Sequence, residues 1–454
     1  MKKVFLLISG ILYALLSYGS TTLTGWEVIS IVMMVYFLLE FLDDLGKKIA
    51  IFHLTILITV FMCLLMPILF YHVFPKGNFY ARVWAKYMPV DSETYFSFMV
   101  PATLTMILGL RLPLGKLKLN KDPKAYMERV REHLRTNPKQ GTYLIVIGVV
   151  SGFLNPFVPS VLSQILYFLE HLTYVGVFYV LYSPTKGKRL YIILVIFLML
   201  SQTMITGMFG EFVFILALSL VLIMLGKGFR FYWKLLVAVA GITLILLIQS
   251  VKAEYRMYSW RGGGASPAYF LSLIGDRIAN PSSIWEEKRI FAMSVRMNQG
   301  WLIAMTMYKV PNKLPFANGE TIWQSVAASF VPRFMWPDKP EAGGRFNLRR
   351  FWGYKTYSSV SMNIGPMGEA YGNFGVTGGI IYMFFYGLFF NWMLFMILKL
   401  SEKTPTLVLW IPFLFLYTIN IETDLVTTMN SLLKGVFFVW LIYTAFRRFF
   451  HMQL

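Results

Sequence analysis

The sequence predicts an all-α polytopic membrane protein with about twelve transmembrane helices and one large extracytoplasmic loop. Of its 454 residues, 57% are hydrophobic and only 14% are charged, which is more apolar surface than a soluble domain of this length can bury. Apolar runs of roughly 17 to 25 residues recur along the chain, long enough to cross a hydrocarbon core about 30 Å thick as helices. These two observations decide the fold class.

Nine predicted spans precede a long polar interruption, and three follow it. The first begins directly after Lys2 and Lys3. Because the "LSYGSTT" that follows is a poor signal-peptide cleavage site, we interpret this run as a retained helix. The predicted spans cover residues 4–19, 26–42, 50–74, 94–110, 142–157, 160–183, 190–207, 210–226, 234–251, 376–398, 406–421 and 430–446.

The distribution of charge predicts the orientation of these spans. The formal net charge is +20, and the basic residues gather in alternate connections, such as "RLPLGKLKLNKDPKAYMERVREHLRTNPKQ", "PTKGKR" and "GKGFRFYWK". Under the positive-inside rule, both termini are then cytoplasmic. Because topology accounts for much of the positive charge, we do not expect nucleic acid as a partner.

The chain divides into three regions on this prediction. Residues 1–251 form a nine-helix transmembrane region, residues 252–375 an extracytoplasmic catalytic loop, and residues 376–454 three C-terminal transmembrane helices. A long loop crosses the membrane largely regardless of its charge, so the basic character of this loop agrees with the orientation.

The long loop contains two predicted amphipathic helices. The stretch "EEKRIFAMSVRMNQGWLIAMTMYKV", residues 286–310, predicts one helix, and "ETIWQSVAASFVP", residues 320–332, predicts a second, shorter one. Pro332 and Pro337 end the second helix, and Pro340 prevents its continuation. The segment "FVPRFMWPDKP", residues 330–340, is therefore a rigid turn at the outer mouth of the protein.

The sequence offers no pattern for a metal or nucleotide site. The chain has one cysteine, Cys63, and five scattered histidines without zinc-ligand spacing. "WRGGGAS", residues 260–266, lacks the Gly-Lys-Ser/Thr ending of a phosphate-binding loop and is more typical of a flexible connection. We therefore expect neither a metal nor a cofactor.

Cations outnumber acids in the long loop, which contains fifteen lysines and arginines and eight acidic residues. The positive-inside rule does not account for this excess, and guanidinium groups bind phosphate in a bidentate fork, so a pyrophosphate ligand fits. Arg296 and Arg333 are the strongest candidates, because each lies in an otherwise apolar segment where an unpaired charge is costly. Ordinary ion pairs and lipid-headgroup contacts are the alternatives. The further candidates are Arg289, Arg345, Arg256 and Lys339.

Ionisable residues also occur within or beside the predicted spans. Glu170, His171 and Glu211 lie inside them, where such groups are either functional or a structural pair. Glu422 and Asp424 lie on the same side as the long loop, and Lys434 could balance their charge.

The loop resembles a known family. "FVPRFMWPDKP", then "GGRFN", a polar spacer and "GPMGEAYGNFGVTGG" at residues 365–379 are similar to the signature region of Wzy-type bacterial polysaccharide polymerases, which polymerise O-antigen and other oligosaccharide repeat units. The resemblance is one of motifs over roughly residues 289–380 and of architecture elsewhere. It implies a fold like that of C-type glycosyltransferases.

The resemblance also implies an activity. Such an enzyme transfers a growing glycan from undecaprenyl pyrophosphate to the non-reducing end of a new lipid-linked repeat unit, without a metal, at the outer face of the bacterial inner membrane. Its partners are that lipid-linked oligosaccharide, membrane lipids and a chain-length regulator. The product is a lipopolysaccharide O-antigen, an exopolysaccharide or a capsule, and the sequence does not distinguish them.

Residue roles follow from this interpretation. The acceptor hydroxyl needs a carboxylate base, and Glu369 in "MGEAYGNFG" is the first candidate because small residues around it let sugars approach. Asp338 is the second, although "PDKP" is more typical of a turn. Tyr371, Asn373 and Trp336 are candidate sugar-binding residues, with an interfacial aromatic belt or a simple turn as the alternative.

Two other activities remain open. An O-antigen ligase shares this architecture but relies on a periplasmic histidine, and residues 252–375 contain none. A transporter or flippase for lipid-linked sugars would show internal repeats and charges near the membrane midplane. A cavity beneath the loop would favour the polymerase, and a cavity at the membrane centre would favour the transporter.

Overall fold

The computed structural model describes residues 2–19, 22–264, 266–333, 335–354 and 362–454. These residues form helices joined by turns and contain no strand. The α-helices are α1 Lys2–Gly19, α2 Gly25–Asp44, α3 Ile51–Val60, α4 Met66–His72, α5 Phe79–Val83, α6 Ser92–Arg111, α7 Lys118–Lys121, α8 Pro123–Thr136, α9 Gln140–Leu154, α10 Ser160–Glu170, α11 Leu172–Tyr182, α12 Lys188–Thr206, α13 Phe209–Met224, α14 Phe231–Tyr258, α15 Pro267–Ala279, α16 Glu287–Met297, α17 Gly300–Lys309, α18 Glu320–Phe330, α19 Arg345–Trp352, α20 Gly365–Ser401, α21 Ile411–Leu414 and α22 Leu425–Phe449.

Ten helical segments in the described part of the chain are long and apolar enough to cross a membrane. They confirm the prediction of a polytopic all-α membrane protein. Two of the twelve predicted runs, residues 210–226 and 406–421, form shorter apolar helices instead, Phe209–Met224 and Pro405–Leu414. The total of twelve spans therefore stays a prediction.

The first predicted amphipathic helix is wrong as a single element, because the structure divides it into α16 and α17. The break at Asn298 and Gln299 has a tertiary cause. The Gln299 N–H donates to the Met62 carbonyl oxygen, 3.1 Å away, in the π-helix Phe61–Leu65. Gly300 then packs so closely that an added Cβ would lie 2.4 Å from Pro67. A straight helix could not make both contacts.

The second predicted amphipathic helix is confirmed as α18. It ends at Phe330, Val331 leaves the helical conformation, and Pro332 follows. The Lys339 ammonium donates to the carbonyl oxygens of Ala328 (2.7 Å) and Val331 (3.0 Å), so it satisfies acceptors that a helix C-terminus leaves free. Residues 335–340 are thereby folded back onto α18.

The structure moves both predicted boundaries of the long loop. Helix α14 continues to Tyr258, which places Lys252 and Arg256 on its last turns. Helix α20 already begins at Gly365 and is broken at Gly375, where φ is +66° and ψ is −157°. A side chain at that residue would be strained, so glycine permits the kink.

The first part of α20 lies inside the protein, and its second part packs against α6. An added Cβ at Gly109 would lie 2.2 Å from the Phe384 carbonyl oxygen, and one at Gly387 would lie 2.3 Å from the Met106 carbonyl oxygen. Such small residues let two membrane helices approach closely. This contact holds the second part of α20 against α6.

Candidate active site

Arg296 is the centre of a cluster of positive charges. It is exposed in the last turn of α16, just before the break at Asn298. Its charge acts on three other cations, Lys86, Lys252 and Arg256. These four residues come from three separate parts of the sequence, and we call them the cation cluster.

Contacts with aromatic rings and a carbonyl hold the cations of this cluster in place. The Lys86 ammonium lies 3.6 Å from the centroid of the Trp301 ring. The Arg256 Nε donates to the Gly207 carbonyl oxygen at 2.7 Å, and the guanidinium lies 5.1 Å from the Trp260 ring. Burial and the nearby Arg296 lower the pKa of Lys86 to about 8. Holding like charges together is unfavourable without an anion between them.

Glu422 is the acidic residue that interacts with the cation cluster. Burial raises the pKa of Glu422, while Lys252 and Arg296 oppose that rise. Four cations and one carboxylate leave a positive excess here. Arginine and lysine in such an arrangement can bind a phosphate or pyrophosphate group.

A second, separate group of cations contains Arg333, Lys339 and Lys434. Arg333 is exposed and donates to the Pro337 carbonyl oxygen at 3.4 Å. Burial is the main cause that lowers the pKa of Lys339 to about 8, and Lys434 and Arg333 lower it further. Lys434 therefore lies beside these cations, whereas Glu422 interacts with Lys252 and Arg296. The two strongest predicted phosphate ligands thus have different neighbouring cations: Arg296 interacts with Lys86, Lys252 and Arg256, and Arg333 with Lys339 and Lys434.

Two other predicted phosphate ligands have acidic partners. The Arg345 guanidinium is 2.6 Å from the Glu341 carboxylate. Arg289 lies 3.5 Å from Glu286 and donates to the Ser283 carbonyl oxygen at 3.1 Å. Their role in binding pyrophosphate stays a prediction, but these local pairs already engage their charges.

Glu369, the predicted base, is buried in the first part of α20. Its side chain is 1% exposed, and neither carboxyl oxygen has a hydrogen-bond partner among the described residues. Leaving a buried polar group unsatisfied costs about 1–3 kcal/mol, and more for a charged one. A carboxyl group kept in this state is a candidate for chemistry.

Three polar residues face the Glu369 carboxyl group: Thr321 on α18, Asn347 on α19 and Asp424 before α22. The Thr321 and Asn347 side chains and the Leu425 backbone N–H are close enough to interact with this carboxyl group, but none of them makes a hydrogen bond of normal length and angle to its oxygens. Both polar atoms of the Asn347 amide are buried and unpartnered as well. We call the group formed by Glu369, Asn347 and Thr321 the polar chamber.

Asp424 differs from Glu369, because backbone N–H groups satisfy its carboxylate. Gly344 donates to one oxygen at 2.8 Å and Thr427 to the other at 3.0 Å. Burial raises the pKa of Asp424, and these hydrogen bonds oppose the rise. Asp424 caps α22 and accepts from the Gly344 N–H at the start of α19, while the Gly343 N–H donates to the Thr427 hydroxyl oxygen. Asp424 thereby positions Asn347 beside Glu369.

The remaining predicted residues are distributed over different surroundings. Asn373 is buried, with its amide bonded to Thr321 (2.7 Å), the Glu369 carbonyl oxygen (2.8 Å) and the Gly319 N–H (3.0 Å). Tyr371 packs against the Phe98 ring, 5.3 Å between centroids. Asp338 is exposed and Trp336 half-buried on the turn after α18. The structure thus brings Asn373, but not Asp338, to the Glu369 region.

The sequence analysis did not single out Lys86 or Asn347. Lys86 lies in a connection far from the long loop in sequence, so spacing offers no signal for it. Asn347 does have a signal: α19 buries Leu348, Phe351 and Trp352 together with this asparagine. A polar residue on the apolar face of an amphipathic helix is unexpected without a partner.

The ionisable groups inside the helix bundle form a third polar region. His171 Nε2 lies 3.3 Å from Glu211, and His171 Nδ1 lies 2.8 Å from the Tyr167 carbonyl oxygen. The Gln202 amide donates to Glu170 at 2.7 Å. Two adjoining cavities of about 330 Å³ and 100 Å³ border these residues. The groups named here have protein partners, as a structural cluster would.

One group of residues has the composition of a metal site. Ligand atoms of Glu40, Asp44 and His53 lie within 4.8 Å of one another. Cations already pair with both carboxylates, at 2.6 Å for Arg111 with Glu40 and 2.9 Å for Lys48 with Asp44. These contacts make the group an ion-pair network, which does not suit a further cation.

Comparison with known proteins assigns a family. Residues 122–404 match the family model described as "Domain of unknown function (DUF8712)". The chain belongs to this family. The matched segment includes Arg256, Arg296, Asn347 and Glu369, whereas Lys86 lies outside it. No curated protein and no solved structure matches the chain.

Proposed function

We propose that this protein is a glycosyltransferase that polymerises lipid-linked oligosaccharide repeat units. The growing glycan leaves undecaprenyl pyrophosphate and joins the non-reducing end of a new repeat unit, at the outer face of the bacterial inner membrane. In this proposal both termini are cytoplasmic, and a chain-length regulator is a further partner. The resemblance to Wzy-type polymerases supplies the substrate class.

The convergence of Lys86, Lys252, Arg256 and Arg296 is the observation that carries the proposal. A glycosyl transfer from a lipid pyrophosphate places negative charge on the leaving group as the glycosidic bond breaks. Fixed cations can stabilise this charge without proton transfer. The cluster forms at the ends of helices α14 and α16, where an anionic headgroup can meet it from the membrane interface.

Glu369 is the proposed general base, since transfer to a hydroxyl also needs a group that accepts its proton. Its unpartnered oxygens are free to accept a hydrogen bond from an incoming hydroxyl. Glu422 and Asp424 lie two positions apart and connect the two parts of the site. Glu422 interacts with the cation cluster, and Asp424 acts on Glu369. Donor and acceptor sites could therefore adjoin across this segment.

Purified protein and lipid-linked repeat units provide the test. We expect the wild-type protein to convert undecaprenyl-pyrophosphate-linked units into a ladder of longer glycans, in the presence of a chelator as well as without it. Glu369→Gln should give no ladder, while Arg345→Ala, at an ion-paired arginine, serves as the matched control and should keep it. Absence of elongation by the folded wild-type protein would refute the proposed function.

A transporter or flippase for the same lipids is the second candidate. The cavities beside Glu170, His171 and Glu211 favour it, because they lie among predicted membrane spans. Proteoliposomes containing lipid-linked oligosaccharide distinguish the two functions. Protein-dependent movement of the lipid across the bilayer, without chain growth, would favour the transporter. An O-antigen ligase is less favoured, because residues 252–375 contain no histidine.

A further inference from the structure

The Asn347 side chain is the strongest unexplained feature of the molecule. This residue is 1% exposed, and neither its amide nitrogen nor its amide oxygen has a hydrogen-bond partner in the described residues. The nearby Asn373 amide, in contrast, makes three hydrogen bonds, while the Asn363 Oδ1 beside Gly344 is a further buried oxygen without a partner. Asn347 faces Glu369, whose two oxygens are equally unpartnered.

The position of Asn347 is determined by contacts on both sides of it. The Gly344 N–H bonds to Asp424 where α19 begins. One turn after Asn347, Phe351 packs on Gly372 so tightly that an added Cβ would lie 2.6 Å from its ring. These contacts hold α19 against the first part of α20. The amide is therefore held toward Glu369 by the surrounding packing, although it forms no bond of its own.

The four unpartnered atoms favour a ligand that both donates and accepts hydrogen bonds. Both Glu369 oxygens and the Asn347 oxygen accept hydrogen bonds, whereas the Asn347 nitrogen donates. A fully ionised phosphate has only acceptor oxygens, which cannot bond the three acceptor oxygens of this set. A metal ion would leave the Asn347 nitrogen without an acceptor. A hydroxyl group both donates and accepts, so sugar hydroxyls match this set.

We propose that Asn347 binds the acceptor sugar together with Glu369, and that it orients the hydroxyl whose proton Glu369 removes. This inference rests on the proposed function and adds a substrate-binding residue to it. The cation cluster would hold the pyrophosphate of the donor, and the polar chamber would hold the non-reducing end of the acceptor. The two substrates would then have separate determinants.

Because Glu369 and Asn347 are buried, entry of a sugar would require the surrounding helices, α18 and α19 among them, to move apart. An ion pair joins these helices, with Arg350 Nε 3.0 Å from the Glu320 carboxylate. This pair is partly exposed, and exposed pairs contribute little to stability. It therefore opposes such an opening only weakly.

Asn347→Leu tests this role because leucine has a similar size and no polar atom. We expect the catalytic efficiency toward the acceptor to fall about 100-fold, with the apparent affinity for the lipid-pyrophosphate donor unchanged. The melting temperature should stay the same or rise, since two unsatisfied buried atoms are removed.

Asn391→Leu is the matched control. Its amide donates to the Gly109 and Leu112 carbonyl oxygens at 3.1 and 2.7 Å, so the substitution should lower the melting temperature and leave the kinetics unchanged. Elongation by Asn347→Leu at the wild-type rate would overturn this inference and leave the proposed function unaffected. Equal losses for donor and acceptor, or a fall in melting temperature like that of Asn391→Leu, would also overturn it. A wild-type protein without elongation would remove the proposed function as well.

Discussion

The polar chamber and the polar cluster inside the bundle both bury ionisable groups, but they differ in how those groups are paired. In the bundle, His171 pairs with Glu211 and Gln202 with Glu170. In the chamber, Glu369 and Asn347 face one another with no hydrogen bond to their polar atoms in the described structure. Paired buried groups stabilise a particular packing, whereas unpaired ones cost free energy and need another reason to persist.

The cations differ in the same way, because some have acidic partners and others are only partly compensated. Arg345 and Arg350 have carboxylate partners at 2.6 and 3.0 Å, and they can be explained as structural. Lys86, Lys252, Arg256 and Arg296 repel one another, and Glu422 offsets only part of their charge. We assign function to Glu369, Asn347 and the cation cluster, whose polar atoms or charges are not fully compensated by described residues. The following predictions test that division.

Glu369→Gln should have the largest effect. The amide keeps the shape of the side chain but cannot accept a proton, so elongation should fall by about 10²- to 10⁴-fold, the usual contribution of a general base. The free energy of unfolding should not decrease, because an uncompensated buried carboxyl is removed. Both quantities can be measured on the purified protein. A loss of stability together with the loss of activity would contradict the distinction between the chamber and the bundle.

Arg296→Ala should reduce the affinity for the pyrophosphate donor by about 10-fold or more, since a charge-assisted contact contributes roughly 1.5–3 kcal/mol. Arg345→Ala removes an arginine that is paired with Glu341, and its effect should stay within about twofold. Binding of inorganic pyrophosphate, followed by calorimetry, compares the two variants. Equal losses would show that pairing does not separate functional from structural cations.

The lowered pKa of Lys86 predicts that donor binding depends on pH. Its pKa of about 8 lies below the ordinary value of 10.5, so the ammonium loses its charge as the pH rises through 8. Affinity for the pyrophosphate should fall severalfold between pH 7 and 9, and Lys86→Arg should remove that decline because arginine stays charged. An unchanged pH profile in Lys86→Arg would exclude Lys86 from the anion site.

The same shift predicts the opposite trend for stability. Between pH 8 and 10.5 the unfolded chain holds a proton on Lys86 that the folded protein has lost, so this residue's contribution to the free energy of unfolding rises with pH. Chemical denaturation of wild-type protein and Lys86→Met across this range measures it. Methionine has no titrating group, so the difference between the two curves isolates Lys86.

Glu170→Gln should have the smallest effect. The glutamine oxygen can still accept the hydrogen bond from Gln202, so elongation should stay within about twofold and the free energy of unfolding should change by less than about 1.5 kcal/mol. The same variant also helps to distinguish a polymerase from a transporter. Loss of lipid movement in proteoliposomes, with elongation absent throughout, would assign function to the bundle instead of the chamber.

The local elements could be predicted from sequence to different degrees. Ten of the predicted apolar runs correspond to helices long and apolar enough to cross a membrane in the described part of the chain, and the prolines after residue 330 marked the end of α18. The same reasoning joined α16 and α17 into one helix, because periodicity continues through Asn298 and Gln299. The Met62 carbonyl oxygen that breaks the helix is more than two hundred positions away, beyond the reach of a local pattern.

The sequence by itself determined the fold class and two of the important residues. Length and hydrophobicity require membrane-spanning helices. Arg296 was identifiable as a charge in an otherwise apolar segment, and Glu369 as the acid among the small residues of "MGEAYGNFG". Only the tertiary structure decided which charges act together, because pairing depends on distances between segments far apart in the chain. It placed Lys86 beside Arg296 and Asn347 beside Glu369, while giving Arg345 an acidic partner. Hydrogen bonds and charge interactions act over a few ångströms in space, and so sequence spacing cannot predict them.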